Sequence, residues 1–417
     1  MALQIAAAFL ALSTLAHSAR QDYDVHKIIE AFRRPRSDLT ILCAHRGLRW
    51  NGTTENSHDA YFRASQAGIE CIETDIHISL DGQLPMIHDK GLGRETDVGE
   101  FTGRAAYNPY TGQGYNPAVA DLNFTGFIEH LHLRDEAGRV HEETVPTLPD
   151  MVQNIHKNGA NVVLQLDFKD KEAVEPAYWA LKNLTNAAGV PANEWCIYKL
   201  QAAWWQTPEE LEAQAWMRDA LENGVRIPYI PVYQPADEGA FDTLASLKAF
   251  MSTNYTISAE IELYSKDGPG QELVDWVSAS QKKEECEYTF STSGIFFADG
   301  DFTVPIFSPL TTSFYDTGNF SLPKDIRFNN SAYAFQDSSM PKLLDVLVGN
   351  KSADGRDHRS DFDWLLRQGF NWIITDNADL WHTDLEKQGK RNMLDLLQDG
   401  KTWKDGRKNG WYKRFFG

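Results

Sequence analysis

Residues 147–189 read TLPDMVQNIHKNGANVVLQLDFKDKEAVEPAYWALKNLTNAAG. Apolar residues recur with a period near 3.6 over Thr147–Lys157, and the pattern stops at Gly159. An apolar, β-branched run follows at Asn161–Lys169. A second 3.6-period pattern fills Glu172–Ala188 and stops at Gly189. Helix, strand and helix in this order form the unit of a parallel sheet. The same alternation extends outward. It predicts strands at Thr40–His45, Cys71–His77, Trp195–Leu200, Arg226–Val232, Thr256–Leu263 and Asn371–Thr375, and a seventh strand at Gly294–Ala298 or Val304–Ser308. Helical patterns lie at Glu55–Ala67, Pro208–Asn223, Asp237–Met251, Gln271–Lys283 and Phe362–Gln368. Eight strands alternating with helices predict an α/β fold, a closed (β/α)₈ TIM barrel, which needs about 250 residues. The 417 residues leave room for a long loop insertion after strand 2, about 99–145, and a C-terminal helical tail, about 381–417. Residues 20–417 read as one such domain.

Composition narrows the class. Hydrophobic residues make up 42% and charged residues 24%, which excludes a disordered or collagen-like chain. The net charge of −19 repels phosphate backbones, so no nucleic-acid partner is expected. Four cysteines are too few for a disulfide framework. Cys43 and Cys71 are expected as buried free thiols, and Cys196 with Cys286 as a possible disulfide.

Residues 1–19, MALQIAAAFLALSTLAHSA, carry a short apolar run followed by small residues, as in a secretory signal peptide. No Lys or Arg precedes the run, so an amphipathic helix is the alternative. Asn-x-Ser/Thr glycosylation acceptors occur at Asn51, Asn123, Asn183, Asn254, Asn319, Asn329 and Asn350. Together these predict a secreted glycoprotein, extracellular or cell-wall associated. A glycan on Asn51, between Arg46 and Glu55, is expected to restrict bulky, micellar substrates. No other run approaches the length of a membrane span. The tail from Lys387 is basic and holds Trp403, Trp411, Tyr412, Phe415 and Phe416. It suits transient contact with an anionic lipid surface, or a helix packed on the barrel with a solvated basic face.

The chemistry lies at the strand ends. His45 and Arg46 end the first strand. Glu73 and Asp75, two apart, share one face of the second, and Asp167 and Lys169 repeat that spacing on the third. His88-Asp89 follows strand two. Barrel active sites are built at these C-terminal ends. Three converging carboxylates repel one another unless a hard divalent cation joins them, and all-oxygen ligation suits Mg²⁺ or Ca²⁺. Arg46 and Lys169 suit a phosphate. Two histidines can give and take a proton near neutral pH. These parts are what phosphodiester hydrolysis requires.

At these residues the chain resembles the glycerophosphodiester phosphodiesterase family. The matching strings are Ala44-His45-Arg46-Gly47, Glu55-Asn56-Ser57, Ile72-Glu73-Thr74-Asp75, Asp81-Gly82, Ile87-His88-Asp89, Pro146-Thr147-Leu148, Leu166-Asp167-Phe168-Lys169 and Ile373-Ile374-Thr375-Asp376-Asn377. The likeness is dense over 41–170 and returns at 362–379.

The resemblance implies a (β/α)₈ barrel, one bound Mg²⁺ or Ca²⁺, and hydrolysis of glycerophosphodiesters to glycerol 3-phosphate and an alcohol. It implies His45 and His88 as the acid/base pair, Glu73, Asp75 and Asp167 as metal ligands, and Arg46 and Lys169 on the phosphate of a small-molecule or lipid-derived substrate. Glu55 and Asn56 either orient the ligands from behind or, for Asn56, cap a helix. Two positions depart from the family: Thr54 stands where it usually has Pro, and Asp167 where it usually has Glu. Sphingomyelinase D-like phosphodiesterases, acting on sphingomyelin or lysophospholipids, share Glu-Thr-Asp and Asp-x-Lys but lack the His-Arg-Gly…Glu-Asn run. They form the alternative reading, beside a non-catalytic secreted barrel.

Overall fold

The apolar runs become strands β1 (Ile41–Ala44), β2 (Cys71–Ile76), β5 (Val163–Phe168), β6 (Cys196–Gln201), β7 (Tyr229–Tyr233), β8 (Ser258–Ile261), β9 (Ser291–Gly294) and β10 (Trp372–Thr375). The computed structural model describes residues 21–49, 53–107, 113–135, 138–262, 268–281, 291–294, 366–367, 369–375 and 378–402. The eight strands pair in the order β1-β10-β9-β8-β7-β6-β5-β2 and close on β1, all parallel. This is the expected α/β barrel. β1, β2, β7, β8 and β10 are buried at every position, as strands covered on both faces must be.

Local chemistry sets the helix starts. Thr147 accepts a hydrogen bond from the Asp150 amide and Asp150 reciprocates, opening Leu148–Lys157. Ser57 accepts from the Ala60 amide and opens His58–Gln66.

Several boundaries differ from expectation. β9 lies earlier than either proposed seventh strand and shares only Gly294 with them. Its Ser-Thr-Ser-Gly sequence is polar, so a rule that seeks apolar runs passes over it. The pattern at Pro208–Asn223 is two helices, Pro208–Glu212 and Ala215–Glu222, because Gln214 is extended. The pattern at Asp237–Met251 starts only at Thr243, where Asp242 caps it. The insertion is more ordered than a loop. It holds the helix Val98–Phe101 and an antiparallel hairpin, β3 (His132–Arg134) with β4 (Val140–Thr144). Val98, Val119, Ile128, Leu131, Leu133 and Val145 pack there against Ile87 and Leu92.

Cys43 and Cys71 are not free thiols. They face each other in register on β1 and β2 and form a disulfide, with Cα atoms 4.4 Å apart. Sequence spacing does not reveal such a pair, because the register of β1 against β2 is set only when the strands assemble. Cys196 is a buried free thiol, and burial pushes its pKa well up. Cys286 lies outside the described residues.

A helix at Val25–Arg33, absent from the expectations, sets Phe32 edge-on against Trp372 at the N-terminal end of β10 (ring centroids 5.1 Å apart). The tail segment after the helix Ala378–Lys387 binds the same end of the barrel. Thr40 donates its amide to the Lys390 carbonyl (2.8 Å), and Arg391 forms a fully buried two-pronged pair with Glu70 (2.7 and 2.8 Å). Arg391 is therefore a structural cation and not part of a solvated face. Residues 403–417 with their aromatics, the leader-like residues 1–19, and Asn51, Asn319, Asn329 and Asn350 lie outside the described residues. Asn123, Asn183 and Asn254 are exposed.

Arg391→Met strands Glu70 as an uncompensated buried charge. Urea unfolding should show a loss of about 3–5 kcal/mol. Glu70→Met/Arg391→Met should recover most of it, because removing both charges removes the penalty.

Candidate active site

β2 and β5 pair in register from Cys71↔Val163 to Ile76↔Phe168, which sets Asp75 beside Asp167. Alternation puts Glu73 on the same face as Asp75. One oxygen from each of Glu73, Asp75 and Asp167 falls within 4.8 Å of the others. The surrounding cations are close. Lys169 Nζ lies 2.9 Å from Asp75 Oδ1 and 2.9 Å from Asp167 Oδ2. Arg46 Nε is 2.9 Å from Asp75 Oδ2. The Arg46 amide donates to Glu73 Oε2 (3.1 Å), and His45 Nε2 stands 3.9 Å from that oxygen.

Arg46 and Gly47 turn the chain sharply after β1. Arg46 has φ +57°, a strained value for a side-chain-bearing residue, and such strain persists where surrounding structure imposes it. Gly47 has φ +84°, and a Cβ there would meet the Ala60 Cβ at 2.7 Å, so no other residue fits.

Asn56 is not a helix cap, since Ser57 fills that place. Its Nδ2 donates to Asp75 Oδ2 (3.0 Å), while its Oδ1 accepts from the Asp75 amide (3.3 Å), Thr74 Oγ1 (3.2 Å) and Tyr61 Oη (3.2 Å). It orients the carboxylate from behind.

Glu55 joins the two halves of the site. It accepts from Arg46 Nη1 (3.0 Å), Arg49 Nη1 (2.6 Å) and Arg94 Nη2 (2.7 Å). Arg94 in turn grips Asp89 through Nε (2.7 Å) and Nη2 (3.0 Å), and Asp89 Oδ1 lies 2.9 Å from His88 Nδ1. Glu95 accepts from the amides of His88 (3.1 Å) and Asp89 (2.8 Å), which locks the turn. His77 bridges Asp170 (2.8 Å) and the His88 carbonyl (3.1 Å).

Burial first, then Arg46 and Lys169, pull the His88 pKa well below its usual value, so the ring is neutral at neutral pH. A carboxylate at Nδ1 fixes the proton there and leaves Nε2 as a base. Burial, then Asp75, pushes Glu73 up to about 8. For Asp75, burial acts upward but Lys169 and Arg46 prevail, holding it well below the ordinary range. Glu55 behaves likewise, burial being overcome by Arg94, Arg46 and Arg49.

The all-oxygen donor set of Glu73, Asp75 and Asp167 fits a hard divalent cation. The second group, His88, Asp89 and Glu95, is held together by Arg94 and by backbone amides and includes a histidine in its donor set. The nine residues expected at the site, His45, Arg46, Glu55, Asn56, Glu73, Asp75, His88, Asp167 and Lys169, therefore form one connected cluster. Asp376-Asn377 and Tyr110 lie outside the described residues. Trp205 is buried beneath Lys171 (4.6 Å to the ring), and Tyr107 is buried in the insertion, both as ordinary packing.

Arg49, Arg94 and Glu95 escaped sequence reasoning, as did Lys199 and Glu260, while Asp89 stands out in the sequence beside His88 but without a role. Lys199 Nζ lies 3.7 Å from Asp167 and 3.1 Å from Glu260 Oε2. A charge inside an apolar strand run is the signal that found Glu73. The same rule applied to β6 and β8 identifies Lys199 and Glu260. Arg94 sits in a polar loop and gives no such signal.

Residues 45–194 match the Glycerophosphoryl diester phosphodiesterase family. An uncharacterised protein of Sinorhizobium fredii is 27% identical over 157 residues, 34% of this chain and 37% of that protein. A glycerophosphodiester phosphodiesterase of Bacillus altitudinis is 38% identical over 60 residues, 14% of this chain and 24% of that protein. The chain thus spans little more than a third of these relatives at most. The crystal structure of a glycerophosphoryl diester phosphodiesterase from Parabacteroides distasonis superposes with a TM-score of 0.51 at 14% identity, over 93% of this chain and 97% of that one. That likeness shows the shared fold.

Two outcomes follow. The native state holds a proton on Glu73 that the unfolded chain releases near pH 4.5, so Glu73's contribution to stability falls as pH rises from there to about 8. In EDTA, the wild-type melting temperature should fall relative to Glu73→Gln between pH 5 and pH 8, and parallel profiles would contradict it. Asn56→Gly keeps the backbone turn but removes the donor to Asp75. Calorimetry should show divalent-cation affinity weakened about 10–100-fold.

Proposed function

We propose that this chain, through residues 45–194 a member of the glycerophosphoryl diester phosphodiesterase family, is a secreted, metal-dependent enzyme that hydrolyses glycerophosphodiesters to glycerol 3-phosphate and an alcohol. One observation carries the reading. The acidic triad Glu73, Asp75 and Asp167 has His45 beside it and two cations in contact with it, and one of these, Arg46, is tied through Glu55 and Arg94 to the His88–Asp89 pair.

Each residue has a task in this reaction. Glu73, Asp75 and Asp167 would hold the cation, which when bound neutralises charge on the phosphoryl oxygens. Arg46 Nη2 is buried and makes no hydrogen bond among the described residues, so it offers a donor to a phosphate oxygen. Lys169 supplies a second positive charge. Neutral His88, its Nδ1 held by Asp89, accepts a proton at Nε2 from the attacking hydroxyl, and His45 protonates the leaving oxygen. The roles can exchange in the second step, when water opens a cyclic ester formed by a neighbouring substrate hydroxyl. Arg94 and Glu55 hold His88 and Arg46 in one frame.

A second reading rests on Asp167-Phe168-Lys169, the Asp-x-Lys pattern of sphingomyelinase D-like enzymes. It keeps the same residues and changes the substrate to sphingomyelin or a lysophospholipid. Secretion is supported by the disulfide, which oxidising compartments favour, and by the exposure of Asn123, Asn183 and Asn254.

Purified protein with Mg²⁺ or Ca²⁺ should release glycerol 3-phosphate from glycerophosphocholine, and EDTA should abolish the release. His45→Ala and His88→Ala should each lower kcat by about 10²–10⁴-fold with unchanged circular dichroism. Turnover of lysophosphatidylcholine alone would transfer the assignment to the second reading. Activity untouched by both substitutions would leave the barrel as a scaffold.

A further inference from the structure

The two halves of the site stand on different strands, and those strands are joined unequally. The cation-binding acids lie on β2 and β5, which pair along their whole length. His45 and Arg46 follow β1, and β1 pairs with β2 only at Cys43↔Cys71 and Ala44↔Ile72. Beyond Ala44 the chain turns away. His45 donates its amide to the Thr375 carbonyl on β10 (3.0 Å), and the ties of His45 and Arg46 to β2 run through the Glu73 and Asp75 side chains. Those carboxylates are also the atoms a cation would draw on, so they make a soft link.

The one covalent link sits directly below. Cys43 is two residues before His45 and Cys71 two before Glu73, so by strand alternation each sulfur lies beneath a site side chain on the same face. Both cysteines are fully buried, and the bond bridges the residues that begin the short ladder.

We infer that Cys43 and Cys71 are positioning residues, whose disulfide fastens the proton-transferring strand β1 to the cation-binding strand β2 and so sets where His45 and Arg46 stand over the acidic triad. The tie acts across one seam of the barrel. Cutting it should loosen β1 while β2 and β5, held by their own ladder, keep their geometry. Turnover should then suffer far more than cation binding. The catalytic part of this inference rests on the function proposed above.

The test begins with intact protein digested without reduction, where peptides holding Cys43 and Cys71 should appear linked. Cys43→Ala/Cys71→Ala is then compared with wild type by hydrogen exchange, Mg²⁺ calorimetry and glycerophosphocholine turnover. Amides 43–46 should exchange more than tenfold faster, while amides 165–168 change by less than twofold. Mg²⁺ affinity should stay within threefold, and kcat should fall more than tenfold with KM held within threefold. Cys43→Val/Cys71→Ala refills the lost volume without a bond and should behave the same way. Thiols that alkylate without reduction, normal exchange and turnover in either variant, or Mg²⁺ affinity falling as steeply as kcat would each overturn the inference. Should wild type hydrolyse nothing, the proposed function fails, and exchange with calorimetry still decides whether the tie exists.

Discussion

Like charge packed out of water governs this barrel mouth. Glu55, Glu73, Asp75, Asp89 and Glu95 are nearly or fully buried, and Asp167 is mostly so. A buried carboxylate without a partner gives up its charge or unfolds its surroundings. Arg46, Arg94, Lys169 and Lys199 answer those charges, and each touches more than one acid. The balance is uneven. Asp75 has two cations and keeps its charge, while Glu73 has no Lys or Arg side chain in contact among the described residues, only the His45 ring at 3.9 Å, and is pushed towards its neutral form. That deficit is what a divalent cation would fill.

Glu55 makes the network a single object. The His45–Arg46 turn and the His88–Arg94 turn belong to different βα connections, yet their guanidiniums meet on one carboxylate. A rigid frame of this kind keeps catalytic groups in place more precisely than loops alone can. The same economy appears at the opposite end, where Arg391 reaches Glu70, the His382 ring and the Thr40 carbonyl, closing the tail over the start of β1 and β2. One end of the barrel gathers buried charge around the acidic triad and the other uses it to hold the tail in place.

Much of this was legible in the chain. Apolar runs between glycine-stopped helical patterns identified seven of the barrel strands to within a few residues. Charged residues placed two apart at strand ends identified the acidic triad, because a barrel interior has no use for them otherwise. Legibility failed where local pattern is weak. Ser291–Gly294 is too polar to read as a strand, and the helix Val25–Arg33 precedes the alternation that guided the reading. Arg94 and Glu95 lie in a polar loop where charge is unremarkable. The insertion was read as a loop because its small apolar cluster is assembled from scattered residues.

The amino-acid order alone determined the class of fold and the identity of the reactive groups, since both follow from spacing along a strand or helix, which is local. Tertiary structure decided which distant groups share a charge. The Glu55–Arg94 contact, the Lys199–Glu260 pair, the Cys43–Cys71 bond and Asn56 behind Asp75 all depend on how the strands and their loops assemble. Assembly sets β1 against β2 and β10 and brings Arg94 of the 88–95 turn onto Glu55. These are relations between residues far apart in the chain, and no periodicity records them.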